Sequence, residues 1–381
     1  MEIDEPSLKD TFFDCFSLID DPRAANSAHS LMTVLFCLIV GVVCGADGFV
    51  QAEHIARLKI SFIKRYVRIR RDVPTHDTMA RLLGDLDPDQ FVSAFATFME
   101  RLTGHRAKDI INLDGKTLRG VVGTAALKRA GAAENQAHIV SAFSALRCIV
   151  LGQLRSKRVA NEVVAAQELL QILDIRGAVI TMDAAHTVYR TLEIIAERGA
   201  EVVVTVKTNA ASLHKGVKDA FRRGSPNAIE TTEKTHGGLE RRMYEIVRAS
   251  GNAVDKNFCT LKSFVRVTRE NTSHSGKRRK KKSVTYYASS LPAEEVQRIA
   301  DCVRARWAIE NKLHYVLDVA FDEDRSRVRM KNSPENLSRV RHIALNLLSL
   351  IKAPKVSFAL KRSTALADDR YLGRVLRLPT R

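Results

Sequence analysis

The sequence lacks the residue patterns that mark several protein classes. Its six cysteines are scattered, with no Cys-x-x-Cys pair and no histidines at zinc-finger spacing, which excludes a zinc ribbon and favours reduced, structural thiols. The first ten residues are acidic and lack the basic segment of a signal peptide. We therefore expect no export and a cytoplasmic location.

Long uncharged stretches are also scarce. Residues 24–46 contain no Asp, Glu, Lys or Arg, and the almost wholly apolar core of this run, residues 31–43, approaches the length that crosses a membrane. A membrane-anchored factor is one interpretation. Because the run contains His29, Ser30 and Gly41 and the remaining sequence is ordinary for a globular protein, we favour a buried helix and no membrane partner.

Positive charge is abundant and unevenly placed. The formal net charge is +18, and residues 207–290 hold 19 Lys and Arg against 7 Asp and Glu. Such an excess predicts a polyanionic partner such as nucleic acid. The densest run, at a predicted hairpin tip, is either solvated or grips phosphates, and we favour the second interpretation; it comprises Lys277, Arg278, Arg279, Lys280, Lys281 and Lys282.

The order of predicted elements favours an α/β fold. Short β-rich runs are Ile110–Leu113, His138–Ser144, Cys148–Leu154, Ala178–Met182 and Glu201–Val206, and helical spacing appears at Asn161–Leu173 and Thr187–Arg198. This order builds a mixed sheet with flanking helices, as in ribonuclease-H-like cores. We predict a helical N-terminal domain (1–105), a first core part (106–209), a basic β-rich insertion (210–292), the rest of the core (293–351) and a basic tail of little periodicity (352–381).

The N-terminal domain has clear helix starts. Thr75 and Asp87 are predicted N-caps, Asp87 being followed by Pro88. The preceding basic cluster, residues 64–71, belongs either to a helix-turn-helix-like DNA reader or to a solvated helix face. Both interpretations stay open.

Two acids follow apolar strand candidates. Asp114 comes after Ile110–Leu113, and Asp183 comes after Ala178–Met182. Acids at corresponding ends of neighbouring parallel strands lie close, repel each other and suit a hard divalent cation. A lone strand-end Asp is often only a turn former, but Lys116 and Arg119 favour a phosphate site. His186 either touches a phosphate or begins the next helix.

A third acid lies on a predicted helix. Arg306, Glu310 and His314 have i, i+4, i+8 spacing and would share one helical face. An ordinary surface Arg–Glu pair is the alternative, and Asp318, Glu323 and Asp324 are nearby rivals as the third acid.

The chain resembles the H-repeat-associated branch of DDE-type insertion-sequence transposases over nearly its whole length. The motifs are LDGKTLRG (113–120), HIVSAFSA (138–145), TMDAAHT (181–187), THGGLERR (235–242), RWAIENKLHYVLDVAFDED (306–324) and PENLSRVRHIALNLL (334–348). The resemblance implies that Asp114, Asp183 and Glu310 form a triad holding two divalent ions, magnesium or manganese. It also implies substrate contacts by Arg306, Asn311 and Lys312, and by Lys207 and Asn209 of a Lys-Thr-Asn-Ala segment.

The resemblance predicts a nucleoid-associated enzyme that cuts DNA at element ends and joins the freed 3′-hydroxyl to target DNA, as a homodimer or higher oligomer. Lys116, Arg119, Arg306 and His314 would position phosphates. Two alternatives remain, a nuclease of the same fold that does not join DNA and a domesticated DNA-binding protein with an inert core.

Overall fold

The computed structural model describes residues 8–104, 108–118, 138–156, 162–235, 238–249, 258, 260–273, 281–353 and 355–378. These residues form two compact units, each assembled from separated segments. Unit 1 takes the described residues within Met1–His105, Gly115–Ala165 and Ile309–Arg381, and unit 2 takes those within Arg106–Asp114 and Ala166–Ala308.

The described α-helices are, in chain order, α1 (Leu8–Phe16), α2 (Leu31–Val43), α3 (Phe49–Leu58), α4 (Ile60–Ile63), α5 (His76–Asp85), α6 (Pro88–Thr103), α7 (Glu162–Ile172), α8 (Tyr189–Glu197), α9 (Ala211–Arg223), α10 (Val296–Ala305), α11 (Tyr315–Ala320), α12 (Ser333–Leu350), α13 (Phe358–Ala367) and α14 (Asp369–Val375). A π-helix covers Glu310–His314, and short 3-10 turns cover Ala184–His186 and Glu323–Arg325. The strands are β1 (Ile110–Thr117), β2 (His138–Ser144), β3 (Ile149–Ser156), β4 (Val179–Met182), β5 (Glu201–Val206), β6 (Asn227–Thr235), β7 (Gly238–Arg248), β8 (Ser263–Ser273) and β9 (Lys281–Ser289).

The apolar run of the sequence forms α2 in unit 1. Ser30 caps its start by accepting a hydrogen bond from the Thr33 amide, and nearly every residue of the helix is buried. A Cβ added to Gly41 would lie 2.9 Å from Ala52 Cα, so this glycine allows the close packing of α2 against α3. The prediction of a buried helix is confirmed. Among the residues described, no helix combines the length and apolarity needed to cross a membrane.

The two predicted N-caps are confirmed. Thr75 accepts a hydrogen bond from the Thr78 amide at the start of α5, and Asp87 accepts from the amides of Asp89 and Gln90 at the start of α6. Each side chain satisfies amides that have no partner inside the helix.

The strands form a mixed sheet of nine in the order β3-β2-β1-β4-β5-β9-β8-β7-β6. In unit 2, β1 pairs parallel with β4, and β4 pairs parallel with β5. β9 pairs antiparallel with β5, and β9, β8, β7 and β6 follow as antiparallel neighbours. The strands predicted as a β-rich insertion therefore continue the sheet of the preceding strands, and the mixed α/β fold is confirmed.

The prediction of a tail with little periodicity is wrong. Residues 358–375 contain α13 and α14, and Arg362 of α13 is buried in unit 1. Its guanidinium donates from Nε to the Val42 carbonyl at 3.1 Å and from Nη2 to the Ala46 carbonyl at 2.8 Å. The sequence pattern hid this segment because its buried positions include Lys361 and Arg362, which count as polar in a periodicity search.

The predicted helix that carries the third acid also needs correction. α10 ends at Ala305, and Glu310–His314 form a π-helix before α11 begins. Because this backbone departs from 3.6 residues per turn, the i, i+4, i+8 spacing does not place Arg306, Glu310 and His314 on one regular α-helical face.

Candidate active site

Asp114 and Asp183 lie at matching positions on neighbouring parallel strands of unit 2. The β1–β4 register pairs Leu113 with Met182, and each acid is the next residue along its chain. Asp183 follows the last residue of β4, as predicted, whereas β1 continues from Asp114 to Thr117. The parallel register therefore brings the first two acids of the predicted triad to one edge of the paired segment.

Asp183 is held in its ionised form. Its carboxylate accepts a hydrogen bond from the Ala184 amide at 2.6 Å, and Oδ1 lies 3.2 Å from Lys207 Nζ. Burial acts to raise the pKa of Asp183, but the Ala184 amide, Lys207 and Arg306 outweigh it and hold this pKa below its ordinary value. A carboxylate that stays ionised is what cation binding requires.

The loop after β5 supports the Asp183 segment. Lys207 directly follows β5 and reaches Asp183, while Asn209 Nδ2 donates a 2.8 Å hydrogen bond to the Ala184 carbonyl. Thr187 Oγ1 donates to the Thr205 carbonyl at 3.1 Å. His186 is buried in the 3-10 turn that follows Asp183. These contacts fix the backbone on both sides of the second acid.

A buried polar link that the sequence did not predict joins the two strands. Thr181 Oγ1 donates a 2.6 Å hydrogen bond to Asn112 Oδ1, and Asn112 Nδ2 donates a 2.8 Å bond to the Ala305 carbonyl. The available signal was an amide inside an otherwise apolar strand, since a buried polar side chain needs partners.

Arg306 follows the end of α10 in unit 2. It forms a hydrogen bond with Tyr287, and its guanidinium lies 5.2 Å from the centre of the Trp307 ring. Burial raises the pKa of Tyr287, and Arg306 opposes this rise. Through its positive charge Arg306 also lowers the pKa of Asp183, so two of the predicted phosphate-contacting cations, Lys207 and Arg306, act on the same carboxylate.

Glu310, the third predicted acid, belongs to unit 1. It is exposed and is the first residue of the π-helix; single π-turns occur frequently at functional sites. Asn311 and Lys312 are exposed in the same turn, and Lys312 Nζ lies 3.3 Å from Cys148 Sγ. The role of Glu310 as a metal ligand stays a prediction.

Lys116 is engaged by carboxylates within unit 1. Its mostly buried ammonium group bonds to Asp318 and lies 3.1 Å from Glu323 Oε2 and 3.6 Å from Asp324 Oδ1. Burial acts to lower the pKa of Lys116, but Glu323 and Asp318 raise it above its ordinary value. Contact with a DNA phosphate would require Lys116 to exchange these partners.

His314 belongs to the same electrostatic group. Its burial, with a smaller contribution from Lys116, lowers the pKa of His314 to about 4. Neutral His314 has no charge to offer a phosphate near pH 7, although its single ring N–H can still donate one hydrogen bond. The prediction that His314 positions a phosphate assumed a positively charged ring, and the buried ring is neutral.

Gly115 lies inside β1, where its lack of a side chain allows close packing. A Cβ at this position would lie 2.4 Å from His138 Nε2 and 2.6 Å from Glu162 Oε1. Both side chains belong to unit 1, where His138 Nε2 and Glu162 Oε2 are 3.1 Å apart. Only glycine leaves room for this pair.

Several predicted DNA contacts fall outside the described residues, namely Arg119, Lys277, Arg278, Arg279 and Lys280. The backbone of Lys281 is described as the first residue of β9. Lys282, the next residue, is exposed and its Nζ lies 3.5 Å from Glu270 Oε1.

The donor set at the strand edge fits a hard divalent cation in its chemistry. Asp114 and Asp183 offer carboxylate oxygens, the ligands that magnesium and manganese prefer. Within the described residues, no group of three or more His, Cys, Asp or Glu side chains is arranged to hold a metal ion. The aspartate pair is thus a partial ligand set, to which water and substrate oxygens would contribute.

Two family models match consecutive parts of the chain. The model described as Transposase DDE domain matches residues 105–347, and the model described as DDE_Tnp_1-associated matches residues 13–99. The larger match contains Asp114, Asp183 and Glu310.

Curated relatives align over almost the full length. The "H repeat-associated putative transposase YhhI" of Escherichia coli (strain K12) is 32% identical over 374 residues, which cover 94% of this chain and 96% of the relative. The "Putative transposase YncI" of Escherichia coli O157:H7 is 31% identical over 380 residues, covering 96% of this chain and 94% of the relative.

A solved structure titled "Cryo-EM structure of piggyBac transposase synaptic complex with hairpin DNA (SNHP)" aligns over 98% of this chain and 82% of that chain. Its TM-score of 0.41 at 11% identity is too low to establish a shared fold. The family matches and the curated relatives agree with each other: the chain belongs to the DDE transposase family, within its H-repeat-associated group.

Proposed function

We propose that this protein is an insertion-sequence transposase that hydrolyses DNA at element ends and then joins the 3′-hydroxyl to target DNA. The observation that carries the proposal is the parallel β1–β4 register, which sets Asp114 and Asp183 at matching positions. The family match gives the chemistry for which such a pair is suited. We further propose Glu310 as the third acid, on the basis of its motif.

The proposed core is ribonuclease-H-like. The strands before β6 appear in the sheet order β3-β2-β1-β4-β5, and β2 and β3 form an antiparallel pair. β4 and β5 each follow a helix, α7 and α8 respectively. This arrangement supports the mixed-sheet core that the order of predicted elements favoured.

Divalent ions, magnesium or manganese, would activate the attacking hydroxyl group and neutralise charge on the leaving oxygen. Asp114 and Asp183 would hold them through ionised carboxylates. The low pKa of Asp183 keeps this acid ionised at neutral pH.

The two cations next to Asp183, Lys207 and Arg306, would bind the DNA backbone. Lys207 and Arg306 are placed to attract the phosphodiester to the aspartates, since both already act electrostatically on Asp183. Lys207 Nζ can exchange its exposed contact with Asp183 for a phosphate oxygen when DNA enters. During this exchange the hydrogen bond from Asn209 Nδ2 to the Ala184 carbonyl would keep the backbone next to Asp183 in place. These contacts position the scissile bond without reading its sequence.

The test is magnesium-dependent cleavage of DNA that carries the flanking ends of the element from which this chain is encoded. We expect the wild-type protein to cut at the element ends, and Asp183→Asn to lose cutting by about two orders of magnitude or more, while DNA binding persists. Cuts are mapped on a sequencing gel, and joining is assayed by adding a supercoiled target plasmid.

Asp301→Asn is the matched control. Asp301 is exposed on α10 of the same unit and accepts a hydrogen bond from Gln297 one turn earlier, so its substitution should leave cutting unchanged. Cutting without joining would indicate a nuclease, and DNA binding without any cutting by the wild-type protein would indicate an inert DNA-binding protein. Equal activity of Asp183→Asn and the wild type would contradict the proposed role of Asp183.

A further inference from the structure

The cations of unit 2 fall into two groups that differ in their partners. All five arginines of β7 and β8 lie within ion-pair distance of a glutamate; the pairs are Arg241–Glu230, Arg242–Glu240, Arg248–Glu294, Arg266–Glu245 and Arg269–Glu240. Their positive charge is therefore largely neutralised within the protein. The described strands contribute less to an external positive field than the sequence composition implies.

Helix α9 differs from these strands. It contains Lys215, Lys218, Arg222 and Arg223, and Asp219 is its single carboxylate. Asp219 Oδ1 accepts from Arg222 Nη1 at 3.0 Å. Considering only the described residues, Lys215, Lys218 and Arg223 have no carboxylate within ion-pair distance. Three lysine and arginine side chains without a carboxylate partner thus lie on this one helix of unit 2.

The exposed side of α9 carries a stripe of three cations, of which Lys215 and Lys218 have no carboxylate partner and Arg222 is paired with Asp219 of the same helix. Lys215, Lys218 and Arg222 have i, i+3, i+7 spacing, which aligns them along one helical face. The opposite face is buried through Leu213, Gly216 and Val217. The stripe cannot turn inward without exposing these positions, so its orientation is fixed by packing.

The stripe lines one surface cavity together with Thr208, the residue that follows Lys207. Lys207, whose ammonium contacts Asp183, lies four residues before the start of α9. From Lys215 to Arg222 the helix rises about 10 Å, which equals the axial rise of roughly three phosphates on one DNA strand. A duplex that lies along α9 can therefore place about three successive phosphates of one strand along the stripe.

We propose that the Lys215–Lys218–Arg222 stripe of α9 binds the sugar-phosphate backbone of duplex DNA next to the bond that is cut. This inference rests on the proposed function and deepens it by assigning a DNA-tracking surface outside the motifs of the sequence. Positive charge of this kind contributes affinity and alignment and carries no sequence preference. DNA approaching along α9 displaces counterions, so binding through the stripe depends steeply on salt.

The test measures binding of a fluorescently labelled duplex by anisotropy over a series of salt concentrations, in EDTA, so that catalysis plays no part. The variant combines Lys215→Gln, Lys218→Gln and Arg222→Gln. The slope of log K against log salt should become less negative by about 1.8 for the two unpaired lysines, and by about 2.7 if Arg222 exchanges Asp219 for a phosphate. Binding to all duplex sequences should weaken alike.

The matched control combines Arg241→Gln, Arg248→Gln and Arg298→Gln, which removes the same charge from residues of unit 2 that pair with glutamates. We expect its slope to stay close to that of the wild type. A second variant, with Lys215→Arg, Lys218→Arg and Arg222→Lys, keeps the charge and should bind like the wild type. Far-ultraviolet circular dichroism verifies that all variants are folded.

Three outcomes would overturn the inference: an unchanged slope in the neutral variant, an equal change in the control, or no duplex binding by the wild-type protein. Cleavage assays separate this inference from the proposed function. Binding through α9 without any cutting by the wild type would leave the inference standing and remove the proposed function. Cutting by the wild type together with an unchanged salt slope in the neutral variant would support the proposed function and contradict the inference about α9.

Discussion

Thr181 Oγ1 donates a hydrogen bond of 2.6 Å to Asn112 Oδ1 in the interior of unit 2. The two residues are partners in the β1–β4 register, and each lies two positions before a candidate catalytic aspartate. Asn112 Nδ2 also donates to the Ala305 carbonyl at the end of α10, directly before Arg306. One buried amide thus connects β1, β4 and the segment that supplies a candidate phosphate-binding arginine.

Substituting Asn112→Ala should lower the free energy of unfolding by about 1–3 kcal/mol, because the Thr181 hydroxyl and the Ala305 carbonyl lose a buried partner. Urea unfolding followed by circular dichroism measures the change. Asn227→Ala is the control, since the Asn227 amide also donates to a carbonyl, that of Ala293, but lies in an exposed residue. An effect of Asn112→Ala as small as that of the control would contradict the structural role of this link.

Substituting Lys207→Gln should raise the pKa of Asp183 towards its ordinary value of 3.8, because the ammonium group favours the ionised acid. The folded-state pKa lies below the ordinary value, so ionised Asp183 stabilises the fold at higher pH. This contribution disappears as pH falls through the folded-state pKa. In the variant this contribution is smaller, and its loss is complete at a higher pH.

The carboxyl-carbon chemical shift of Asp183, followed by NMR during an acid titration, reports this pKa directly. Arg190→Gln serves as the control, because Arg190 is exposed and pairs with Glu193, and it should leave the Asp183 titration unchanged. A titration midpoint that does not move in Lys207→Gln would show that Lys207 has no influence on the acid.

Substituting Lys116→Met should reduce the free energy of unfolding by about 3–5 kcal/mol, because it leaves the fully buried Glu323 without its main cation. Thermal and urea unfolding both measure this loss. Lys312→Met, at an exposed position of unit 1, should change stability by less than about 0.5 kcal/mol. If Lys116 served only to contact DNA, the two variants would be equally stable.

Local sequence patterns predicted the strands well. The bounds of β2 and β5 agree with His138–Ser144 and Glu201–Val206 because each is an apolar or β-branched run bordered by breaks in that pattern. The same logic placed Asp183 directly after β4. Asp114 was located near a strand end, but pairing with other parts of the chain extends β1 to Thr117, and no local signal marks this extension.

Tertiary contacts explain what the sequence could not show. The π-helix at Glu310 depends on backbone hydrogen bonding that 3.6-residue periodicity cannot represent. The burial of Arg362 depends on carbonyls of residues 42 and 46, which lie more than 300 positions away in the chain. The basic composition of residues 207–290 indicated where positive charge is plentiful. The structure shows which of these charges are neutralised: the arginines of β7 and β8 are paired with glutamates, whereas Lys215 and Lys218 of α9 are not.

The contacts of Arg362 also determine when unit 1 can be completed during synthesis. Its guanidinium donates to the carbonyls of Val42 and Ala46 after α2, so these two contacts form only once residue 362 has left the ribosome. Unit 2 takes its last residues before position 309 and can close earlier. Unit 2, which contains the candidate aspartate pair, can therefore fold before Arg362 forms its contacts with the amino-terminal helices of unit 1.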